Sequence, residues 1–367
     1  MIAPWKKYYD DFDPDSSAEE AELMKKYGNY VYKKYIFIII CIIGAFIVAG
    51  FATTIGPYDI GFFESYRIIF DHILGNVQDA NKDYIIWTVR LPRIVAGLIA
   101  GAALAVAGAT MQSTMKNPLA DPYTTGISAG ASFGATIAIV MGFSLTGGNY
   151  AVVINAFIFS LIPMAVIMLV STIRHASPTT IILSGLAVMY LFNAMTTLLM
   201  LMADPNALED AFRWQVGTLG YSSWDTIPIM FVVSLIGGLL LQILSSKINV
   251  LTSGDESARS LGIDADKLRL ICLVIVSLMA AAVVSFTGII GFIGLMAPHI
   301  CRMIIGNDNR YLIPASALLG ALILISSDAI ARVILAPNDL PVGIIMYAIG
   351  GVFFLLLVKK MSGGYES

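Results

Sequence analysis

Charge is the scarcest property of this sequence. Asp, Glu, Lys and Arg make up 13% of its 367 residues, while 57% are hydrophobic. Soluble proteins carry about a quarter charged residues, so this balance excludes an ordinary soluble domain. The formal net charge of −3 says little, because in a membrane the place of a charge matters more than the sum. Cysteine is nearly absent. Cys41, Cys272 and Cys301 lie far apart inside apolar runs with no CxxC pair, so they read as small buried hydrophobes rather than as a disulfide or metal framework. The histidines, His72, His175 and His299, are equally scattered. No GxxxxGKS or GxxxxGKT occurs, so the chain has no phosphate-binding loop of its own.

Ionisable groups deep in the apolar runs are also missing. The main exception is Asp328 with Arg332, spaced to pair with each other one helical turn apart. An ion-coupled carrier would place carboxylates or broken polar helices near the bilayer midplane. An intramembrane enzyme would gather His, Asp or Glu around one cavity. Neither pattern is present, so a transporter built on this chain takes its energy from a partner.

What the chain has in abundance is apolar runs of about 20 residues, the length of a membrane crossing. Ten qualify: 36–52, 94–110, 123–143, 151–170, 181–202, 227–244, 270–286, 288–305, 312–335 and 342–358. The expected fold is all-α and polytopic, with ten transmembrane helices. Only Thr287 divides the seventh run from the eighth, and one long broken helix there would make nine crossings. Basic residues favour ten. With the N-terminus inside, six of the Lys and Arg between residues 25 and 360 fall outside: Arg67, Lys82, Arg90, Arg93, Arg213 and Arg332. The other fourteen are cytoplasmic, including Lys359 and Lys360, and so is the C-terminus.

The second run, IVAGLIAGAALAVAGAT, holds Gly97 and Gly101 one turn apart, and the third holds Gly126, Gly130 and Gly134 on one stripe. Small residues at this spacing let helix backbones approach closely inside a bundle. Residues 1–34 form an acidic polar arm on the cytoplasmic side, followed by a permease-sized body over 35–360 and a short tail over 361–367. No secretory leader is expected, since the first apolar run comes after the arm.

Between the sixth and seventh runs lies LTSGDESARSLG, residues 251–262. Ser253 followed by Glu256 reads as a capping box, Asp255 suits a helix N-terminus, and Gly262 is a natural stop. The expected product is a helix of about two turns, about 12 Å long, with Ala258 and Leu261 on one face. It would either lie on the lipid headgroups or insert into a partner's groove.

The same segment resembles the coupling segment of the type II ABC importer permeases, which take up iron-siderophores, haem and cobalamin. RLPR (90–93), MQSTMKNPLADPYTTGISAGASFGA (111–135), GFIGLMAPHICR (291–302), YLIPASALLGA (311–321) and DLPVG (339–343) are similar to signatures of that family, in family order. The resemblance covers residues 35–360. It implies a ten-helix permease in the cell membrane, paired with a second, identical copy. Two ATPase subunits would sit below, carrying ATP and magnesium, with an extracytoplasmic solute-binding protein above. No cofactor on this chain and no nucleic-acid partner is implied. The cargo would be a metal chelate, an iron-siderophore first, then cobalamin, haem or molybdate. The alternative class is an ion-coupled secondary transporter.

Residue by residue, the resemblance makes Ser253, Gly254, Asp255, Glu256, Ser257, Ala258, Arg259, Ser260, Leu261 and Gly262 the ATPase-coupling segment. Arg90, Arg93 and Arg332 match arginines that receive acidic groups of the binding protein. For Arg90 and Arg93 the plainer alternative is anchoring of a helix end, and for Arg332 a local pair with Asp328. Asn117 and Leu119 match a cytoplasmic gate, and Pro178 and Thr179 of HASPTT a second constriction, although proline at 178 departs from the pattern. Val352 stands where the family commonly has proline. The region of Trp214 and Gln215 corresponds to one beside the solute path. His299 reads as a structural hydrogen-bonder, and the aromatic-rich segment 56–89 as a helix at the membrane surface.

Overall fold

The computed structural model describes residues 18–362 except 149, 174–176 and 337. Among these residues all regular structure is helical. In chain order the helices are α1 (Ala18–Thr54), α2 (Phe62–Ile73), α3 (Ala80–Tyr84), α4 (Leu91–Met115), α5 (Ile127–Met141), α6 (Ala151–Ile173), α7 (Pro178–Leu201), α8 (Pro205–Val216), α9 (Ile227–Thr252), α10 (Asp255–Ser260), α11 (Ala265–Thr287), α12 (Ile293–Ile305), α13 (Asn309–Ile334) and α14 (Val342–Ser362). A π-helical segment, Ile85–Arg90, joins α3 to α4, and a 3-10 turn, Pro122–Thr125, precedes α5.

Each of the ten apolar runs carries a helix. Seven are long and apolar enough to cross a membrane, and three, Ile127–Met141, Ile293–Ile305 and Val342–Leu357, are shorter. Thirteen residues in α12 rise only about 20 Å against a hydrocarbon core of about 30 Å. The irregular stretch 288–292 before it makes up depth, and its backbone is buried in protein rather than lipid. The separation of the seventh and eighth runs is a real break. Gly288 and Phe292 both take positive φ, and the Phe292 ring is seated between Tyr347 and Phe354.

Composition decides which helices are central. The apolar window of the α3–α4 helix is 78% buried, against 22% for α1 and for α9. α4 packs on α13, α9, α11 and α12. Its small residues permit this: a methyl group on Gly101 would overlap the carbonyl of Gly320, and one on Gly108 the carbonyl of Gly294. The stripe on α5 does the same against α6, where Gly130 faces Phe159 and Gly134 faces Asn155. Around this centre α1 covers α13, and α7 covers α5.

Three boundaries differ from expectation. α1 is one continuous helix from Ala18, so the part of the acidic arm described here is helical and prolongs the first crossing. RLPR lies inside a helix that starts at Ala80, because the π-helical turn just before Pro92 absorbs the hydrogen bond that proline cannot make. The aromatic segment is not one helix but divides into α2, α3 and the π-helical turn. The amphipathic α2 folds back on the C-terminal end of α1: Phe46 stacks on Tyr66, Phe51 packs at a tilt against Phe62, and Tyr66 donates to the Phe46 carbonyl.

Candidate coupling and gating site

α9 runs to Thr252, and Ser253 remains in the helical region with its N–H on the carbonyls of Val250 and Leu251. The chain turns at Gly254, whose φ of 132° and ψ of 154° are closed to residues with a side chain. That turn moves the N-cap one residue on. Gly254 occupies it without a side-chain bond, so the capping box expected between Ser253 and Glu256 does not form. The expected stop at Gly262 does form. Gly262 N–H donates to Arg259 O at 2.9 Å and Ile263 N–H to Ala258 O at 2.9 Å, the two bonds of a Schellman turn. α10 is six residues, about 9 Å, rather than two turns. Ala258 and Leu261 do not share an environment. Ala258 is fully buried in the main core, whereas Leu261 is 68% exposed beside the exposed Glu256, Ser257, Arg259 and Ser260.

Asp255 fixes this short helix in place. Its Oδ1 accepts from Lys116 Nζ at 2.9 Å and from Arg269 Nη2 at 2.5 Å. Arg269 is fully buried near the start of α11, with Nε on the Thr114 carbonyl at 3.1 Å and Nη1 on Asp266 at 3.3 Å. A buried guanidinium needs this many acceptors to offset lost hydration. The hydrogen bond from Arg269, helped by the one from Lys116, holds the Asp255 carboxyl down at about 2.

Lys116 opens the first predicted gate loop. It ends α4 in the left-handed region, φ 50° and ψ 35°. Asn117 follows, its Oδ1 accepting from Leu119 N–H at 2.9 Å and its carbonyl from Ala120 N–H at 3.1 Å. Leu119 is 58% exposed. Asp121 then caps the 3-10 turn through Tyr123 N–H, with its other oxygen close to Gly294; burial pushes its carboxyl up to about 6. In the second loop Pro178 is the first residue of α7, where a missing N–H costs nothing, and Ser177 caps the helix by accepting from Thr180 N–H. Thr179 is exposed. His175 and Ala176 of HASPTT lie outside the described residues. A cleft of about 390 Å³ is lined by Pro178, Lys116, Arg269 and Ser253 through Ser257, so both gate loops border α10.

The three outer arginines are turned inward. Arg90 donates to the carbonyls of Thr53 at 2.5 Å and Tyr58 at 2.7 Å. Arg93 grips Asp328 with Nε and Nη2 and reaches Asp339 with Nη1 at 2.5 Å. Arg332 Nε lies 3.2 Å from Asp328 Oδ2 at an angle outside hydrogen-bond geometry, and its Nη2 has no acceptor. These groups join the C-terminal ends of α1 and α13 to the N-terminal end of α4. Trp214 packs among Ala131, Ala135, Ala156 and Val284, Gln215 Nε2 points at Met200 sulfur, and His299 stacks edge-on against Phe353.

Sequence reasoning singled out 253–262 and the two loops as separate candidates and missed the contacts that join them. In the sequence Lys116 and Arg269 count only among the fourteen cytoplasmic basic residues, and Asp121 reads only as part of an Asp-Pro turn. One signal was available: Arg269 directly adjoins an apolar run, where a cation requires partners.

The FecCD transport family model matches residues 36–360. A Methanocaldococcus jannaschii protein, MJ0087, itself assigned as an ABC transporter permease, is 41% identical over 93% of this chain and 99% of its own length. The Fe(3+)-citrate import system permease protein YfmD of Bacillus subtilis is 36% identical over 88% of this chain and 94% of its own. The hemin transport system permease protein HmuU of Yersinia pestis is 36% identical over 61% and 68%. Among solved structures, an inward-facing transporter assigned to the metal-chelate ABC type superposes with a TM-score of 0.78 at 30% identity, covering 88% of this chain and 98% of that one. With its apolar helices and this match over nearly its whole length, the chain is a multi-pass cell-membrane protein and belongs to the FecCD transport family.

Proposed function

We propose that this chain is the permease subunit of an ATP-driven importer of a metal chelate. It crosses the membrane ten times with both termini in the cytoplasm, and two copies enclose the solute path. A separate ATPase with ATP and magnesium acts on α10. A solute-binding protein docks on the outer face knitted together by Arg90, Arg93 and Arg332, where Arg332 Nη2 retains unused donor capacity. The gate is formed by Asn117, Leu119, Pro178 and Thr179.

The observation that carries this reading is α10 itself. A short helix fixed by a buried arginine presents Leu261 and a polar rim outward, the shape of a knob for another protein's groove. Support for the cargo class comes from relatives named for ferric citrate, hemin, cobalamin and hydroxamate import. Its test is uptake of labelled ferric citrate, hemin and cobalamin into vesicles holding the permease, with and without the partner ATPase and binding protein. At least one solute is expected to accumulate only with both partners and ATP. Accumulation driven by a proton or sodium gradient alone would favour the secondary-transporter alternative and end this reading.

A further inference from the structure

Lys116 poses a problem that helix formation alone does not answer. Its φ of 50° is rare for a residue with a side chain, and it and Phe292 are the non-glycine residues with positive φ among those described. The position just past a helix end strongly prefers glycine. The left-handed turn closes α4, with the N–H groups of Lys116 and Asn117 both on the Gln112 carbonyl. Glycine would make that turn without strain, so the closure does not call for a lysine. Its side chain does serve something else: Nζ reaches Asp255, the first residue of α10, across 139 positions of sequence. Arg269 makes a second, parallel link, bonding Asp255 with Nη2 and the Thr114 carbonyl, two residues before Lys116, with Nε.

We propose that Lys116 and Asp255, backed by Arg269, clamp the coupling helix to the first gate loop, so that α10 and the stretch from Lys116 to Leu119 move as one body. This rests on the reading of α10 as the ATPase handle and adds the route from handle to gate. The loop beyond Lys116 is braced by hydrogen bonds of its own. Asn117 bonds Leu119 N–H and Ala120 N–H, and Asp121 caps the next turn. A push on α10 therefore reaches Leu119 through the Lys116–Asp255 ion pair and one turn of backbone, whereas the Arg269 link ends on Thr114 within α4, before the loop begins. Lys116 and Asp255 are positioning residues; neither is assigned contact with the solute.

The test places a cysteine at Leu119. The three native cysteines are buried, so a charged maleimide reports on the new thiol. In vesicles with the partner ATPase, its labelling rate is compared with and without ATP plus vanadate. With Lys116 in place the rate is expected to change about tenfold; in Lys116→Gly the change should shrink to within about twofold, and Lys116→Arg should keep it. Because glycine relieves the left-handed strain, the melting temperature of Lys116→Gly should be no lower than that of its parent. A full nucleotide response in Lys116→Gly overturns the clamp alone. Loss of response together with a lower melting temperature also overturns it, since that marks Lys116 as a structural support. No response even with Lys116 present overturns the reading of α10 as well.

Discussion

Two aspartates, Asp255 and Asp121, show how environment divides one chemistry into two behaviours. Asp255, beside Arg269 and Lys116, sits at about 2, below its usual 3.8. Its lowered value stabilises the fold above about pH 4 and that contribution is lost only as pH falls through about 2, so it is constant at neutral pH. Asp121, buried in the loop between α4 and α5, sits at about 6. A raised carboxyl has the opposite sign: its contribution is full below about 3.8 and is lost as pH rises through about 6. Stability should therefore increase by about 1 kcal/mol between pH 7 and pH 5 on account of this one group. Thermal unfolding in detergent should show that rise relative to Asp121→Asn, whose amide still accepts from Tyr123 N–H. Parallel pH curves for the two proteins would contradict it.

At the scale of elements, the small residues of the central helices matter where two backbones meet. Gly108 in α4 and Gly238 in α9 are both helical glycines, and alanine is intrinsically the better helix former by about 1 kcal/mol. Their surroundings differ. A methyl group on Gly108 would overlap the carbonyl of Gly294 in α12, whereas around Gly238 nothing lies within 4 Å. Gly108→Ala should thus cost folded yield and melting temperature by forcing α4 from α12, and Gly238→Ala should be neutral or slightly stabilising. Size-exclusion profiles and melting curves of the pair separate packing from propensity, because propensity alone predicts a gain at both sites.

The same scale shows what the sequence made legible. Crossing helices, small-residue stripes and the stop at Gly262 are written in short windows, since each depends on spacing of one to four residues along a single helix. The start of α10 was misread because Ser253 and Glu256 satisfy the local pattern, while the turn depends on Gly254 adopting a φ that only glycine reaches readily. The inward turn of Arg93 was hidden for a different reason: its partners Asp328 and Asp339 lie 235 and 246 residues away. The bond between Lys116 and Asp255 is of that kind too. Local pattern therefore singles out the 253–262 segment and the 117–119 loop as separate pieces, and only the packing of α4 against α11 brings them together.

For the whole molecule the governing fact is direction. The proposed function puts α10 and the 117–119 loop on the ATP-bearing side and the arginine-knit ends of α1, α4 and α13 on the other, which requires α12 to complete a crossing despite its thirteen residues. If α11 and α12 together made a single crossing, everything after residue 305 would change sides. Single cysteines at exposed positions decide this, the native three being buried. Phe63→Cys and Asp339→Cys should react with an impermeant maleimide applied to the outside of intact cells. Leu261→Cys and Asn307→Cys should react only after the membrane is opened. Asn307 is the sensitive site, in the turn between α12 and α13. Labelling of Asn307→Cys from outside would reduce the crossings to nine, and labelling of Leu261→Cys from outside would place α10 where no ATPase can reach it.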